Sequence, residues 1–358
     1  MSEQETAPAA TTAPHRISRW SAPSTVGTSA FTLVFIVLAL LPWWGSASTQ
    51  FTLVEVLYYL ALAQMWNLLA GYAGLVSVGQ QAFVGIGAYA VFLLAERNGV
   101  DPWLAMVIAG AIAAALSVPV AFLTFKLVGG YFAIATWVIA EVIRLTVLEI
   151  DSIGAGNVQS FTVANTWSGY SLETRSDLIY WVALALAAGA TVVAVLIARS
   201  RLGLALQAAR DSAPGARGLG VNVMRTKLVV WVVAAGWTGM TGALIHLNTS
   251  TVTTDDAFSV TSWTALVIFI VVIGGVGSVR GPLIGVAIYW FISEQFEDSD
   301  TWRFIILGSA ATLMALVSRE GVDGLLQRIR PFEIFPIRRR LLLDGDGDAD
   351  DEGTDAAR

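Results

Sequence analysis

Residues 262–292 read SWTALVIFIVVIGGVGSVRGPLIGVAIYWFI. Arg280 is the only charged side chain in the run, which is cut once, at Gly274-Gly275-Val276-Gly277-Ser278-Val279-Arg280-Gly281-Pro282. A helix crosses the roughly 30 Å hydrocarbon core of a bilayer with about 20 apolar residues. The run is too long for one crossing and reads as two short membrane segments around a glycine turn. Such a break frees backbone N–H and C=O groups, which membrane depth tolerates only where protein buries them or a wet cavity meets them. The expected fold is therefore all-α: a polytopic membrane helical bundle with glycine-interrupted helices.

The rest of the chain agrees. Of 358 residues, 56% are hydrophobic and 13% charged, and Trp occurs 13 times. A soluble domain carries about 25% charged residues, so this chain has too little polar surface to cover itself in water. Further apolar spans lie at Phe31–Trp44, Thr52–Ala70, Val76–Ala95, Trp103–Phe125, Tyr131–Leu148, Leu178–Ala198, Leu228–Leu247 and Trp302–Val317. With the broken pair, the expected number is about ten. They form one domain, 30–326, between a disordered arm, 1–29, and a tail, 327–358, first basic and then acidic.

Charge orients the spans. With the N-terminus cytoplasmic, 17 Lys and Arg fall in inside segments, and only Arg97, Arg175 and Arg303 fall in outside ones, with Arg144 inside a span. Lys and Arg concentrate on the cytoplasmic side of membrane proteins, so both termini are expected inside. The net charge of −6 comes from the tail alone, where seven carboxylates after Leu343 stand against Arg358. The spacing Asp344-x-Asp346-x-Asp348 has Ala349 where a calcium loop needs glycine, and reads as a disordered acidic tail.

The absence of Cys excludes disulfides and thiolate sites. With only His15 and His246, no metal or other cofactor is expected, and His246 reads as an ordinary interfacial residue. No Gly-x-x-x-x-Gly-Lys-Ser/Thr run is present, so no P-loop is encoded. Gly236, Gly239 and Gly242, like Gly277, Gly281 and Gly285, repeat at the spacing that lets helices approach closely in lipid. Glu141 and Arg144, three apart in a span, predict an intramembrane ion pair facing protein.

The largest inside loop, 199–227, holds six basic residues. Within it Leu202, Leu206 and Ala209 share one face of a short amphipathic helix. Asp211 and Ser212 can cap a second helix with Pro214 in its first turn. Such a surface suits a soluble partner, or equally a basic loop lying on anionic lipid.

Three stretches carry a resemblance to the LIV-type permeases of bacterial ABC importers for branched-chain amino acids. The first is Asn67 to Tyr89, NLLAGYAGLVSVGQQAFVGIGAY; the second is the basic loop, running on through Gly218-Leu219-Gly220-Val221-Asn222; the third is Gly274 to Gly285. Tyr131–Ile134 and Glu141–Leu145 resemble the M-type subunit. Gln80 stands where such permeases usually have His. The resemblance implies a multi-pass subunit of the bacterial inner membrane that is not itself an enzyme. It implies a second homologous permease, two cytoplasmic ATP-binding subunits, an extracytoplasmic solute-binding protein and surrounding lipid as partners, and no nucleic acid. Arg201, Leu202, Gly203, Leu206, Arg210, Arg217 and Gly220 are then the candidate ATPase-coupling residues, with Leu202 and Leu206 inserting into a groove on the ATPase. Gly71, Gly74, Ser77, Gly79 and Gln80, with Gly274, Gly275, Gly277, Gly281 and Pro282, are the candidate pathway or gate. A urea or short-amide importer uses similar permeases, and a stand-alone secondary transporter is the other class. The spans offer few carboxylates for ion coupling, which favours an external motor.

Overall fold

The computed structural model describes residues 15–18, 22–44, 46–150, 157–296, 300–318, 320–329 and 340–343. The acidic tail after Leu343, the loop residues Asp151, Glu297 and Asp298, and Arg319, Arg330, Arg338 and Arg339 lie outside them, as does most of the arm.

Fourteen helices make up nearly all of the described chain: α1 Ala22–Leu40, α2 Ala47–Asn67, α3 Gln80–Val91, α4 Pro102–Thr124, α5 Gly130–Leu148, α6 Leu172–Arg199, α7 Arg201–Asp211, α8 Ala213–Gly218, α9 Val223–Thr249, α10 Thr254–Ala257, α11 Leu266–Gly274, α12 Arg280–Gln295, α13 Asp300–Val317 and α14 Gly321–Ile329. Wider π turns extend α2 through Leu68–Tyr72 and α3 through Phe92–Arg97, and lead into α11 through Thr261–Ala265. The all-helical expectation misses two short antiparallel ribbons. β2 Gln159–Ser160 pairs with β3 Thr251–Val252. Near the chain ends, β1 His15–Ser18 pairs with β4 Arg340–Leu343, with His15 opposite Leu343.

Helices start where a polar side chain can take an otherwise orphaned N–H. Asp101 accepts from Trp103 N and Leu104 N at 3.0 and 3.2 Å, with Pro102 opening α4. Ser171 caps α6 through Thr174 N, and Asn222 caps α9 through Arg225 N at 3.0 Å. Each such cap contributes about 1 kcal/mol.

The centre is α3, buried along its whole length, against α4 and α9. Glycine makes this packing possible, as the spacing predicts. A Cβ on Gly87 would overlap the Gly239 carbonyl, and one on Gly242 would overlap Val84. The periphery is the reverse. On α4 and α5, Leu104, Leu116, Leu123, Tyr131, Ile134, Val138 and Val142 are exposed. An apolar surface of that extent is a liability in water and normal in lipid.

Among the described residues, six helical runs are long and apolar enough to cross a membrane, and a seventh counts if α13 and α14, bent by 49°, are taken together. That is fewer than the ten expected, because the apolar run Gly27–Trp43 that holds most of α1, and the helices α3 and α12, are short. The first run of the broken stretch begins earlier than its hydropathy suggests, at Thr254 rather than Ser262.

Candidate functional site

Gln64 and Asn67 lie three apart on one face of α2, 0% and 1% exposed. Asn67 reaches across to the turn between α11 and α12. Its Oδ1 accepts from Gly277 N at 2.7 Å and its Nδ2 donates to Ser278 O at 2.8 Å. Gln64 Nε2 donates to Val279 O at 3.0 Å, and Ser278 Oγ accepts from Gly281 N at 2.9 Å. The turn's own backbone demands glycine, with φ of 134° at Gly275 and 84° at Gly277. On the α2 side a Cβ on Gly71 would stand 2.5 Å from both Cα and N of Gly277. Two helix breaks 206 residues apart in sequence, at Gly71 and Gly277, are thus in backbone contact.

The segment after the α2 π turn is pinned just as closely. Trp66 Nε1 donates to Ser77 O at 2.8 Å, Ser77 Oγ accepts from Gly79 N at 3.2 Å, and Val78 N donates to Thr136 Oγ1 of α5 at 3.1 Å. At the start of α3, Gln80 Nε2 donates to Leu62 O and Thr238 Oγ1, both at 3.2 Å. Gln81 N donates to Thr264 Oγ1 at 3.2 Å, and the Thr264 hydroxyl returns a bond to Gln81 Oε1. Of the two environments that tolerate a membrane break, this one is burial in protein. Gly71, Ser77, Gly79, Gln80, Gly274, Gly281 and Pro282 are all buried, and Gly74 is exposed.

The basic loop joins the same place. Ser200 caps α7 through Gly203 N, and Ser212 caps α8 through Gly215 N at 3.2 Å with Pro214 in the first turn, the predicted helix–break–helix. Arg210 Nη1 donates to Gly71 O at 2.5 Å, and its side chain lies over Gly74. The expectation that Leu206 inserts into a partner's groove fails. Leu206 is 0% exposed and Gly203 is also buried, because this chain's own helices already cover that face of α7. What projects outward is Arg201, Leu204, Arg217 and Gly220, with Leu219 at 83% exposure. Beside the turn, Arg280 pairs with Asp323 of α14 at 3.1 Å, largely buried, and Gln327 Nε2 donates to Asp323 Oδ2 at 2.9 Å.

At the opposite ends of the helices a second polar group forms. Arg144 bonds Glu141, whose side chain is 40% exposed, at 2.7 Å, and also Asp255 of α10 at 3.1 Å. The pair therefore sits at the end of α5, tied to a loop. His246 is wholly buried rather than interfacial. Its Nδ1 donates to Gly242 O at 3.0 Å, and Nε2 lies 3.5 Å from Asp256 Oδ2.

Residues 48–308 match the family of branched-chain amino acid transport system permease components. The chain belongs to that family. It is 28% identical over 332 residues to the high-affinity branched-chain amino acid transport system permease protein LivM of Escherichia coli K12, covering 86% of this chain and 77% of that one. LivM of Salmonella typhimurium LT2 is 26% identical over the same shares, and a probable branched-chain amino acid transport permease LivH of Methanocaldococcus jannaschii is 21% identical over 67% of this chain and 78% of its own. No solved structure matches the chain.

In this permease, a multi-pass helical membrane protein and not an enzyme, the glycines were legible from sequence, and the side chains that hold them were not. Gln64 and Asn67 carried a usable signal: two amides one helical turn apart in an apolar span must face protein. Thr136, Thr238 and Thr264 carried none, since a lone Thr in a span satisfies itself on its own helix as readily. Asp323 carried none either, and its burial becomes visible only once Arg280 is placed beside it.

Proposed function

We propose that this permease is the M-type subunit of an ABC importer for branched-chain, apolar amino acids in the bacterial inner membrane. A second homologous permease, two cytoplasmic ATPases and an extracytoplasmic binding protein complete it. The observation that carries the reading is the contact of Arg210 with Gly71: the loop fit to receive a motor is bonded directly to a paired break in the membrane helices. We further propose ten crossings with both termini inside, α1, α3 and α12 being short crossings. Supporting this, loops assigned to one side by charge meet one another. Glu96 accepts from Thr162 N at 2.8 Å, Tyr170 donates to Asp101 at 2.9 Å, and β2 pairs with β3 at one end. Arg210, Gly71 and Gly277 meet at the other.

The docking surface is the exposed side of α7–α8, with Leu204 and Leu219 as apolar anchors and Arg217 as a charge at the rim. Anchors of this kind each contribute about 2 kcal/mol or more to an interface. The test combines labelled L-leucine uptake in cells with co-purification of the ATPase. Leu219→Asp is expected to lose the ATPase and uptake while the permease inserts normally. Arg217→Ala is expected to weaken assembly in a salt-dependent way. Normal uptake and ATPase retention in Leu219→Asp defeat the docking assignment. Uptake of urea or a short amide in place of leucine by the intact system redirects the solute assignment, and transport by the purified permease without any ATPase defeats the importer reading.

A further inference from the structure

Arg175, in the first turns of α6, is a cation without an anion. Among the described residues no carboxylate lies within ion-pair distance of it, although Asp and Glu are frequent at this end of the molecule. It is nonetheless held in place. Nη2 donates to Leu247 O at 3.2 Å and to Ser250 Oγ, and the guanidinium carbon stands 4.3 Å from the centre of the buried Trp167 ring. Ser250 is the one non-glycine residue with positive φ among the described residues, 61°. Left-handed backbone is sparsely populated by such residues and persists where surroundings over-determine it. The N–H groups on Nε and Nη1 have no protein acceptor among the described residues.

These groups border a cavity of about 190 Å³ between α2, α6 and the end of α9. Gln50, 8% exposed, and Asn248 bring side-chain amides to it, and Phe51, Val54 and Ile179 form an apolar wall. A pocket with one fixed guanidinium, two neutral amides and an aliphatic wall is matched to a small amphipathic anion. The guanidinium fork suits a carboxylate, the amide oxygens can accept from an ammonium group, and the wall suits an alkyl chain. The size agrees: a 150 Å³ apolar cavity holds benzene, so about 190 Å³ suits a solute of about eight non-hydrogen atoms.

We propose that this cavity is an entry subsite for the transported amino acid, with the carboxylate on Arg175 and the aliphatic side chain against Phe51, Val54 and Ile179. The assignment rests on the reading above that the solute is a branched-chain amino acid and that this end faces outward. A phospholipid phosphate from the outer leaflet shares the anionic chemistry, and the test separates the two.

The full-length permease is placed in nanodiscs of neutral phosphatidylcholine, and saturable binding of tritiated L-leucine is measured, with L-leucinol, which lacks the carboxylate, as competitor. Arg175→Gln is expected to weaken leucine binding at least tenfold, Val54→Phe to abolish it by filling the cavity, and leucinol to compete at least tenfold less well than leucine. Should Arg175→Gln not yield a monodisperse protein, Val54→Phe and leucinol decide. The proposal is overturned if leucine does not bind the wild type saturably, if both variants bind as the wild type does, or if leucinol competes as well as leucine. Leucine binding that appears only in phosphate-free maltoside micelles and is lost in the phospholipid nanodiscs assigns the cavity to lipid phosphate and overturns it too. Leucine uptake by the complete importer in cells is measured in parallel. Uptake that persists while the binding tests fail rejects this subsite alone, and absence of leucine uptake rejects the solute.

Discussion

Replacing Asn67 by alanine tests whether the paired break is as dry and as tightly held as its geometry says. The side chain makes two bonds, from Gly277 N at 2.7 Å and to Ser278 O at 2.8 Å, from a residue 1% exposed. Alanine leaves one N–H and one C=O of the half-buried turn without a partner. Each costs about 1–3 kcal/mol when water cannot replace the lost bond, so the expected destabilisation is about 2–6 kcal/mol. At the roughly 2–4 °C per kcal/mol typical of larger domains, the melting midpoint in detergent should fall by roughly 4–24 °C. The assay is the fraction of permease surviving in the monodisperse gel-filtration peak after heating, with labelled leucine uptake measured in cells. Asn67→Asp sharpens the test: it keeps the acceptor for Gly277 N but sets a carboxylate against the Ser278 carbonyl, and should be no better than alanine. A midpoint within about 1 °C of the wild type for Asn67→Ala, corresponding to less than roughly 0.5 kcal/mol, would mean that water reaches the turn. The break would then line a wet passage rather than being closed by protein, and the reasoning would fail.

Gly71→Ala places a methyl 2.5 Å from the Gly277 backbone, so the two breaks must separate; uptake should fall at least tenfold while membrane abundance, read by immunoblot, stays near normal. Arg280→Gln strands Asp323, 3% exposed at its side chain, and should cost about 3–5 kcal/mol in a thermal assay, whereas Arg280→Met with Asp323→Leu should recover most of that. For topology, cysteines introduced at Ser168 and Thr253 should react with an impermeant thiol reagent in intact cells and one at Ser212 should not; labelling at Ser212 reverses the orientation.

How much of this was legible in the sequence follows from what each interaction depends on. Composition and span length decide that the chain lives in lipid, and glycine periodicity finds the close packing of α3 against α9, because both depend on residues near in sequence. The two glycine breaks were found for the same reason, but not that they touch, since Gly71 and Gly277 share no local signal. The basic loop was read correctly as helix, cap and helix. Which face of α7 is free was not, because apolar periodicity states that a face is buried and is silent on what buries it. Leu206 faces the permease itself, and its exposed neighbours Leu204 and Leu219 became candidates only by elimination. The spacing of Glu141 and Arg144 suggests that they pair, while the third member of the group, Asp255, comes from α10, 111 residues away.

The join between loop and break also explains why the helix is interrupted where it is. An unbroken α2 would keep the Gly71 carbonyl inside its own ladder of hydrogen bonds, closed to any outside donor. The π turn Leu68–Tyr72 and the extended segment after it release that carbonyl, and Arg210 takes it at 2.5 Å. A hydrogen bond is lost once donor and acceptor pass about 3.5 Å, so a displacement of α7 by roughly 1 Å suffices to free the carbonyl. Gly71 lies in backbone contact with Gly277, and the Gly277 turn is tied through Arg280 to α14. On the proposed coupling, a motor that shifts the loop by a fraction of a helical turn therefore acts on both breaks at once, without first having to bend a continuous helix.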